Sequence, residues 1–235
     1  MTRCKLSLSF YGANRAAILC RDPEVILAGP ADTGKTIAML WKLDAIAKQY
    51  PKASLVIARK QQTDLWGTVI ESFKRYILGE QPIRVYGGEK PEFYEYRNGS
   101  RIWTAGLDHP GKALSAERDI VYINQAEEAA LVDWETLTTR ASGRAGNVPY
   151  AQVIGDCNPA NPSHWIKQRQ KAGTLTFFES SHRDNPDLFD QATGQITEQG
   201  KTRIGALDRL TGVRKLRLRK GIWAAPEGAI YDVFD

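Results

Sequence analysis

Long hydrophobic runs are missing from this sequence of 235 residues. No stretch approaches the roughly 20 continuous apolar residues of a transmembrane helix. The N-terminal residues also lack the apolar core of a secretory signal peptide, so we expect none. Cysteine is scarce: Cys4, Cys20 and Cys157 are odd in number and far apart, which excludes a disulfide framework and a Cys-x-x-Cys metal site. These absences are typical of a protein that works in a reducing compartment.

Internal repeats and low-complexity linkers are absent as well, and the formal net charge is only +5. With 42% hydrophobic and 25% charged residues, the composition is that of a globular protein, long enough for one large α/β domain. The positive charge is concentrated near the C-terminus. A basic segment can neutralise the phosphates of a polyanion, and a solvated helix face explains it equally well. Its cations are Lys201, Arg203, Arg209, Arg214, Lys215, Arg217, Arg219 and Lys220.

A phosphate-binding motif lies between a short apolar run and a helical pattern. Gly29, Gly34, Lys35 and Thr36 match Gly-x-x-x-x-Gly-Lys-[Ser/Thr]. The glycines let successive backbone N–H groups converge on one anion, and the positive end of the following helix dipole faces the same point. We expect Lys35 to reach the β- and γ-phosphates and the Thr36 hydroxyl to ligate Mg²⁺. A nucleotide triphosphate site is therefore predicted here.

Apolar runs and helical patterns alternate along the rest of the chain, which predicts a doubly wound, parallel sheet of the α/β class. Alternating aromatic residues around Asn98–Gly99 predict a hairpin. The predicted strands cover 25–28, 54–58, 120–123, 151–155 and 175–179. The predicted helices cover 13–20, 35–50, 65–77, 127–140, 165–171, 188–198 and 205–210.

The strand at residues 120–123 is expected to end in an acid that holds Mg²⁺, followed by a catalytic glutamate. Asn124 and Gln125 stand there instead, and Glu127 and Glu128 follow. An amide can ligate a metal or orient a water but cannot accept a proton. We therefore expect Glu127 or Glu128 to be the general base, with a slight preference for Glu127. Two acids in the first turn of a helix are the alternative explanation. The predicted metal ligands are Thr36, Asn124 and Glu127.

Polar residues follow the next strand, in the order Asp156-Cys157-Asn158-Pro159. We expect Asn158 to contact the γ-phosphate and to pass its loss to the sheet, although an Asn-Pro turn explains the same pattern. An arginine usually neutralises the transition-state charge. The candidates, in the same chain or from a neighbour, are Arg118, Arg140 and Arg144, each of which is also explained as a surface charge. Arg59 and Lys60 end a strand and are well placed too.

In their order, these motifs resemble the ATPase domain of tailed-bacteriophage terminase large subunits, the motors that package DNA into proheads. The resemblance is carried by GPADTGKT at 29–36, SLVIARKQQTDLW at 54–66, DIVYINQAEEAALVDWETLTTRASGRAG at 119–146, GDCNPANPSHWIK at 155–167 and SSHRDNPDL at 180–188. LTGVRKLRLRKGIW and EGAIYDVFD continue it, so the similarity covers almost the whole chain.

The resemblance implies a P-loop NTPase of the ASCE (RecA-like) type, with a mostly parallel central sheet flanked by helices. It implies ATP hydrolysis with Mg²⁺ and translocation of double-stranded DNA in the host cell cytoplasm during virion assembly. It also implies a homo-oligomeric ring on the portal protein, a small terminase subunit as partner, and no membrane; an isolated motor domain can be monomeric. Residues 1–225 would form the ATPase domain, and 226–235 would begin a linker.

By the same resemblance, residues 29–36 are the Walker A loop and 120–125 the Walker B strand. Asp32 must then direct its carboxylate away from the nucleotide. The chain has no room for the nuclease domain of full-length relatives, so we expect no nuclease activity. The residues predicted to bind the nucleotide are Gly29, Pro30, Ala31, Asp32, Thr33, Gly34, Lys35, Thr36 and Asn158. Those predicted to act in catalysis are Lys35, Glu127, Glu128, Arg118 and Arg140.

Two other functions fit the sequence. A small-molecule P-loop kinase would need a mobile lid, for which the Gly-rich residues 141–149 are the one candidate. A nucleotide-binding module with little hydrolysis is the second, because Asn124-Gln125 replaces the expected acids.

Overall fold

A single eight-stranded sheet organises the chain. The computed structural model describes residues 8–108 and 114–226. The strands are β1 (Glu24–Ala28), β2 (Ser54–Arg59), β3 (Arg84–Tyr86), β4 (Phe93–Glu95), β5 (Arg101–Gly106), β6 (Ile120–Ile123), β7 (Gln152–Cys157) and β8 (Thr176–Glu179). Their order across the sheet is β3-β4-β5-β2-β6-β7-β1-β8. All neighbours from β5 to β8 are parallel, while β4 pairs antiparallel with both β3 and β5. The predicted fold class is confirmed.

Helices cover both faces of this sheet, as parallel strands require. They are α1 (Gly12–Leu19), α2 (Lys35–Gln49), α3 (Gln62–Leu65), α4 (Leu131–Arg140), α5 (Trp165–Lys171), α6 (Glu198–Asp208) and α7 (Gly212–Leu218). The helix α3 continues into two π-helical turns, Trp66–Ile70 and Phe73–Leu78, and two 3₁₀ turns lie at Ala126–Glu128 and His182–Asp184. Among the helices of the described ranges, none combines the length and hydrophobicity that a bilayer crossing needs.

Strand β1 shows why both faces of the sheet are covered. Val25 and Leu27 belong to a core that includes residues of α1, α2 and the π-helical turns, whereas Ile26 and Ala28 belong to a second core with residues of α4 and α5. Because side chains alternate along a strand, a continuous apolar run supplies both cores at once. Strand β1 is therefore covered on both faces, and the phosphate-binding loop begins at its carboxyl end, between β7 and β8.

Most of the predicted elements are observed. The Asn98–Gly99 turn joins β4 to β5, and the strand predicted at 175–179 is β8. Two helix predictions are wrong. Residues 188–198 form turns closed by a bridge between Phe189 and Ile196, and α6 begins only at Glu198. The helix predicted at 127–140 begins at Leu131, after a separate turn. The linker predicted at 226–235 lies almost wholly outside the described residues.

Candidate nucleotide site

The loop Gly29–Thr36 connects β1 to α2 at the carboxyl edge of the sheet. Gly29 allows a close approach, because a Cβ atom there would lie 2.4 Å from the carbonyl oxygen of Ser180 on the neighbouring chain segment. Gly34 has a φ of 85°, in the left-handed region that favours glycine. Asp32 also has a positive φ, and its residue is exposed, as expected for a carboxylate that must avoid phosphate.

Three distant segments fix the backbone of this loop. The Asn14 side chain donates to the Thr33 carbonyl at 2.7 Å, and the Asn185 side chain donates to the Asp32 carbonyl at 2.7 Å. The backbone N–H of Ala31 donates to the Leu218 carbonyl in α7 at 2.9 Å. These bonds hold the loop in shape from α1, from the segment after β8 and from the basic C-terminal helix.

Lys35 lies in the first turn of α2 with its ammonium group enclosed by the loop. The Nζ atom donates to the carbonyls of Gly29 at 2.9 Å and Pro30 at 2.6 Å, and lies 3.4 Å from Asn158 Oδ1. Burial lowers the pKa of Lys35, since desolvation disfavours its charged form. An anion within the loop would compensate this desolvation, as the predicted phosphate contact requires.

The carboxyl ends of β6 and β7 bring a hydrogen-bonded cluster to Thr36. Asp156, on β7, accepts hydrogen bonds from the Thr36 hydroxyl at 2.5 Å and from Asn124 Nδ2 at 3.1 Å. The Tyr122 hydroxyl and the Gln125 backbone N–H each donate to the same carboxylate at 3.0 Å. The acid beside Thr36 thus comes from β7, just before Asn158, the residue that the sequence predicted to contact the γ-phosphate. Asn124 presents its NH₂ group to this acid.

Asn124 and Glu127 were also predicted to ligate the metal. Asn124 Nδ2 lies 3.5 Å from Thr36 Oγ1, so the residue is in the right place but offers donors, and an NH₂ group cannot ligate a cation. Glu127 bonds to Asn158, and no bond joins it to Thr36. Within the described ranges, no cluster of three or more His, Cys, Asp or Glu residues could hold a metal without further ligands. Of the three predicted ligands, Thr36 alone keeps an oxygen beside the loop, so a metal here would need further ligands.

Glu127 lies in the 3₁₀ turn after β6 and faces Asn158. Its Oε1 atom accepts hydrogen bonds from the Asn158 backbone N–H at 3.0 Å and from Asn158 Nδ2 at 3.1 Å. Its Oε2 atom is buried and has no hydrogen-bond partner. Burial raises the pKa of Glu127 to about 7, although the Asn158 N–H partly opposes the shift. A carboxyl group with such a pKa is suited to general base chemistry near neutral pH.

Glu128 lies on the other side of the same turn. Its side chain is 40% exposed, and it pairs with Arg59 Nη2 at 3.4 Å. The structure therefore separates the two glutamates that the sequence left as alternatives. Glu127 bonds to Asn158, whose Oδ1 atom lies 3.4 Å from Lys35 Nζ, and Glu128 pairs with an arginine.

The arginines predicted for catalysis lie at the amino edge of the sheet, opposite the phosphate loop of the same chain. Arg118 precedes β6 and donates to the Ser54 hydroxyl at the start of β2, while its backbone N–H donates to the Arg140 carbonyl. The length of β2, about 17 Å, separates this amino edge from the carboxyl edge. Arg144 is an exposed residue paired with Glu117. None of the three can reach a phosphate held by its own chain, which leaves a role in a neighbour's site.

Two other arginines line the pocket at the phosphate loop. Arg59, at the carboxyl end of β2, is almost fully buried and donates to Thr68 Oγ1 at 2.8 Å and to the Gln125 side chain. Arg203 projects from α6 and is exposed. The sequence indicated Arg59 by its place at the end of a strand. Arg203 was noted only as one of the cations of the basic segment, and nothing in the sequence placed it at the nucleotide site.

The pocket itself has a volume of about 700 Å³, within the range of small-molecule sites. One side is formed by the loop and by polar residues Asn124, Gln125, Asp156 and Asn158. Another is formed by residues 8–10, 14, 184–188, 199 and 203, and a third by residues of the π-helical turns. The site is therefore large enough for a nucleotide, with phosphate-binding groups at its base.

The basic segment divides into bonded and free cations. Lys215 and Arg219 bond to Asp208, and Arg217 bonds to the Ala224 carbonyl. Lys201 pairs with Glu198. The side chains of four exposed cations form no hydrogen bond or ion pair within residues 8–108 and 114–226: Arg203, Arg209, Arg214 and Lys220. Half of the cations in the basic segment therefore already have a partner within the chain.

No protein-family model and no curated protein matches the sequence. Solved structures do. The large terminase of a thermophilic bacteriophage is similar over 97% of this chain and 57% of its own, with 20% identity and a TM-score of 0.72. Its complex with ATP-γ-S gives 22% identity, a TM-score of 0.71 and coverage of 97% and 56%. The chain thus spans just over half of that protein.

The ATPase domain of the Thermus phage P74-26 large terminase is a further neighbour, with 14% identity and a TM-score of 0.59. It is similar over 91% of this chain and 94% of its own. Identities this low support a statement about the fold. The sequence resemblance is confirmed at that level: the chain has the P-loop NTPase fold of phage large-terminase ATPase domains.

Proposed function

We propose that this chain is the ATP-hydrolysing motor domain of a DNA-packaging terminase, which couples ATP turnover to translocation of double-stranded DNA into a prohead. One observation carries the proposal. A continuous set of contacts runs from Lys35 through Asn158 to Glu127, whose pKa is raised to about 7. A phosphate-binding lysine and a buried general base joined through one amide form the minimal apparatus of an NTP hydrolase.

The substrate is MgATP. Backbone N–H groups of the loop and Lys35 would bind its phosphates, and Thr36 would offer its hydroxyl oxygen to Mg²⁺. When bound, the metal would neutralise charge that develops on the phosphoryl oxygens. A water attacks the γ-phosphorus while the bond to the ADP oxygen breaks. Glu127 accepts the proton of that water, and its unpartnered Oε2 atom is the free acceptor. Inorganic phosphate and ADP are the products.

Asn158 is suited to sensing the γ-phosphate. Its Oδ1 atom lies by Lys35 and its Nδ2 atom donates to Glu127, so movement of the lysine towards or away from phosphate changes both contacts. In the proposed motor, Asn158 passes the loss of phosphate to β7 and from there to the surface that grips DNA. Arg203, Arg209, Arg214 and Lys220 are proposed for that surface.

The two other functions fit the structure less well. The Gly-rich residues 141–149, the candidate kinase lid, lie at the amino edge of the sheet, where the Gly146 N–H donates to Asp119. They cannot close over the phosphate loop. A module that binds nucleotide without hydrolysing it has no use for a buried glutamate with a pKa near 7, which costs stability to keep ionised.

The remaining parts of the proposal follow from the terminase resemblance. Residues 1–225 act as the ATPase domain. The partners are the portal protein, a small terminase subunit and neighbouring copies in a ring, with no membrane involved. The site of action is the host cytoplasm during virion assembly.

Phosphate release by the purified chain, measured with and without double-stranded DNA, tests the proposal. ATP turnover should be detectable with water as the acceptor, and DNA should stimulate it. Glu127→Gln should lower turnover by about 100-fold or more, and Glu128→Gln is the matched control that keeps most of it. Phosphate release that requires a small-molecule acceptor would contradict the motor assignment.

The DNA surface needs a separate test. Reversing the charges of Arg209, Arg214 and Lys220 should weaken DNA binding and reduce its salt dependence. Reversal at Lys201, whose charge is already paired with Glu198, is the control. Unchanged affinity in the triple variant would assign the basic segment to solvation alone.

A further inference from the structure

The ends of β6 and β7 carry a carboxylate and an amide in exchanged positions. In P-loop NTPases the phosphate loop follows one strand, and the acid that holds Mg²⁺ ends another strand. In this chain these strands are β1 and β6. This chain has Asn124 at that position. On β7, Gly155 pairs with Ile123, so the next residue, Asp156, stands beside Asn124. The two strand ends together carry one carboxylate and one amide, and the carboxylate is on the strand next to β1.

Strand order makes this exchange possible. Strand β7 lies between β6 and β1, and Asp156 pairs with Leu27, two residues before Gly29. An acid on β7 is therefore nearer to the phosphate loop than the same acid on β6. The 2.5 Å bond from the Thr36 hydroxyl to Asp156 Oδ2 is the direct consequence.

The surroundings of Asp156 are built for a carboxylate. The residue is only 3% exposed, and four groups donate hydrogen bonds to it, from Thr36, Tyr122, Asn124 and the Gln125 backbone. A buried carboxylate is costly unless it is hydrogen-bonded and faces a cation. The Asn124 amide serves as one of these donors, which accounts for the orientation of its NH₂ group.

We propose that Asp156, and not Asn124, supplies the carboxylate that holds the Mg²⁺ of MgATP beside Thr36. The assignment rests on the proposed function, because it concerns the metal of the same substrate. We further infer that the acid can hold the metal from either position, 124 or 156. Asp156 thereby supplies the acid that is missing at the end of β6.

Nucleotide binding tests the assignment without turnover. The affinity of the chain for a fluorescent, non-hydrolysable ATP analogue is measured with Mg²⁺ and with EDTA, and bound Mn²⁺ is counted by electron paramagnetic resonance. In the wild-type chain Mg²⁺ should tighten binding. In Asp156→Asn the affinity with Mg²⁺ should fall by about 10- to 100-fold, while the affinity in EDTA stays within about threefold, and bound Mn²⁺ should be lost.

The exchanged variant, Asn124→Asp with Asp156→Asn, is the matched control, since it has the same composition and charge. It should regain the Mg²⁺-dependent affinity and the bound Mn²⁺. If Asp156→Asn alone does not fold, as judged by circular dichroism and size exclusion, the exchanged variant decides. Recovery there supports the assignment, and a folded exchanged variant without a Mg²⁺ effect overturns it.

Retention of the Mg²⁺ effect in a folded Asp156→Asn variant also overturns it. Failure of the proposed function gives a different result, because a wild-type chain that binds no ATP analogue would refute the nucleotide site as a whole. A wild-type chain that binds the analogue equally with Mg²⁺ and EDTA would refute the metal assignment and leave the nucleotide site in place.

Discussion

Replacing Glu127 with glutamine should remove a pH dependence of stability that the titration of this carboxyl group imposes on the fold. In the folded chain, burial raises the pKa of this carboxyl group from 4.5 to about 7. Between these values the folded chain keeps a proton that the unfolded chain has released. The stability contributed by protonated Glu127 is therefore fully present below about pH 4.5 and is lost as the pH rises through about 7.

The size of this effect follows from proton linkage. The wild-type chain should lose about 2.5 kcal/mol of unfolding free energy from this one group between about pH 5 and about pH 8. Glutamine keeps the acceptor for Asn158 but places an NH₂ group where Oε2 has no partner, at a cost of about 1–3 kcal/mol. That cost does not depend on pH, so the difference between the two pH values isolates the titration.

Urea denaturation at the two pH values, followed by tryptophan fluorescence, measures the effect for the wild-type chain and for Glu127→Gln. The wild-type loss should exceed that of the variant by about 2 kcal/mol or more. Glu128→Gln, on the exposed side of the turn, is the control and should lose as much as the wild type. Equal pH dependence in wild type and Glu127→Gln would show that Glu127 holds no proton near neutrality, and its assignment as the base would lose its physical ground.

Three further changes have defined outcomes. Asn158→Ala removes the Nδ2 donor to Glu127 Oε1, so the pKa of Glu127 should rise and the acidic limb of the kcat/KM profile should move to higher pH than in the wild type. A limb that stays in place or moves to lower pH would contradict this contact. In Arg59→Lys the ammonium group cannot keep the forked contacts of the guanidinium, so kcat should fall by about tenfold. Turnover at the wild-type rate would contradict a role for these contacts. Gly29→Ala should destabilise the chain by about 2 kcal/mol or more, because the new Cβ atom would clash with the Ser180 carbonyl. Gly205→Ala, in open space on α6, should stabilise the chain by up to about 1 kcal/mol. Thermal denaturation compares the two variants.

Local patterns predicted the sheet and the phosphate loop because each depends on neighbouring residues. A motif of eight positions specifies its own backbone, and alternating hydrophobicity around Asn98–Gly99 specifies a hairpin. The acid beside Thr36 could not be predicted in this way. Asp156 reaches it only through the order and register of three strands, which pair residues far apart in sequence.

The position of these arginines at the amino edge of the sheet could have been predicted from the sequence. Arg118 directly precedes a strand, and residues that precede parallel strands lie at the amino edge, opposite the phosphate loop. Arg140 follows a helix that returns the chain to that edge. The separation of Glu127 from Glu128 was not predictable, since the break at residues 129–130 has no glycine or proline to mark it.

The bond between the Ala31 N–H and the Leu218 carbonyl joins the phosphate loop to a helix more than 180 residues later in the chain. A contact of such sequence separation makes the phosphate loop and α7 parts of one cooperative unit. Shortening the chain before α7 would therefore damage nucleotide binding as well as the basic surface. Charge reversal on an intact α7 is the way to separate the two, because it removes cations and leaves the peptide group that braces the loop.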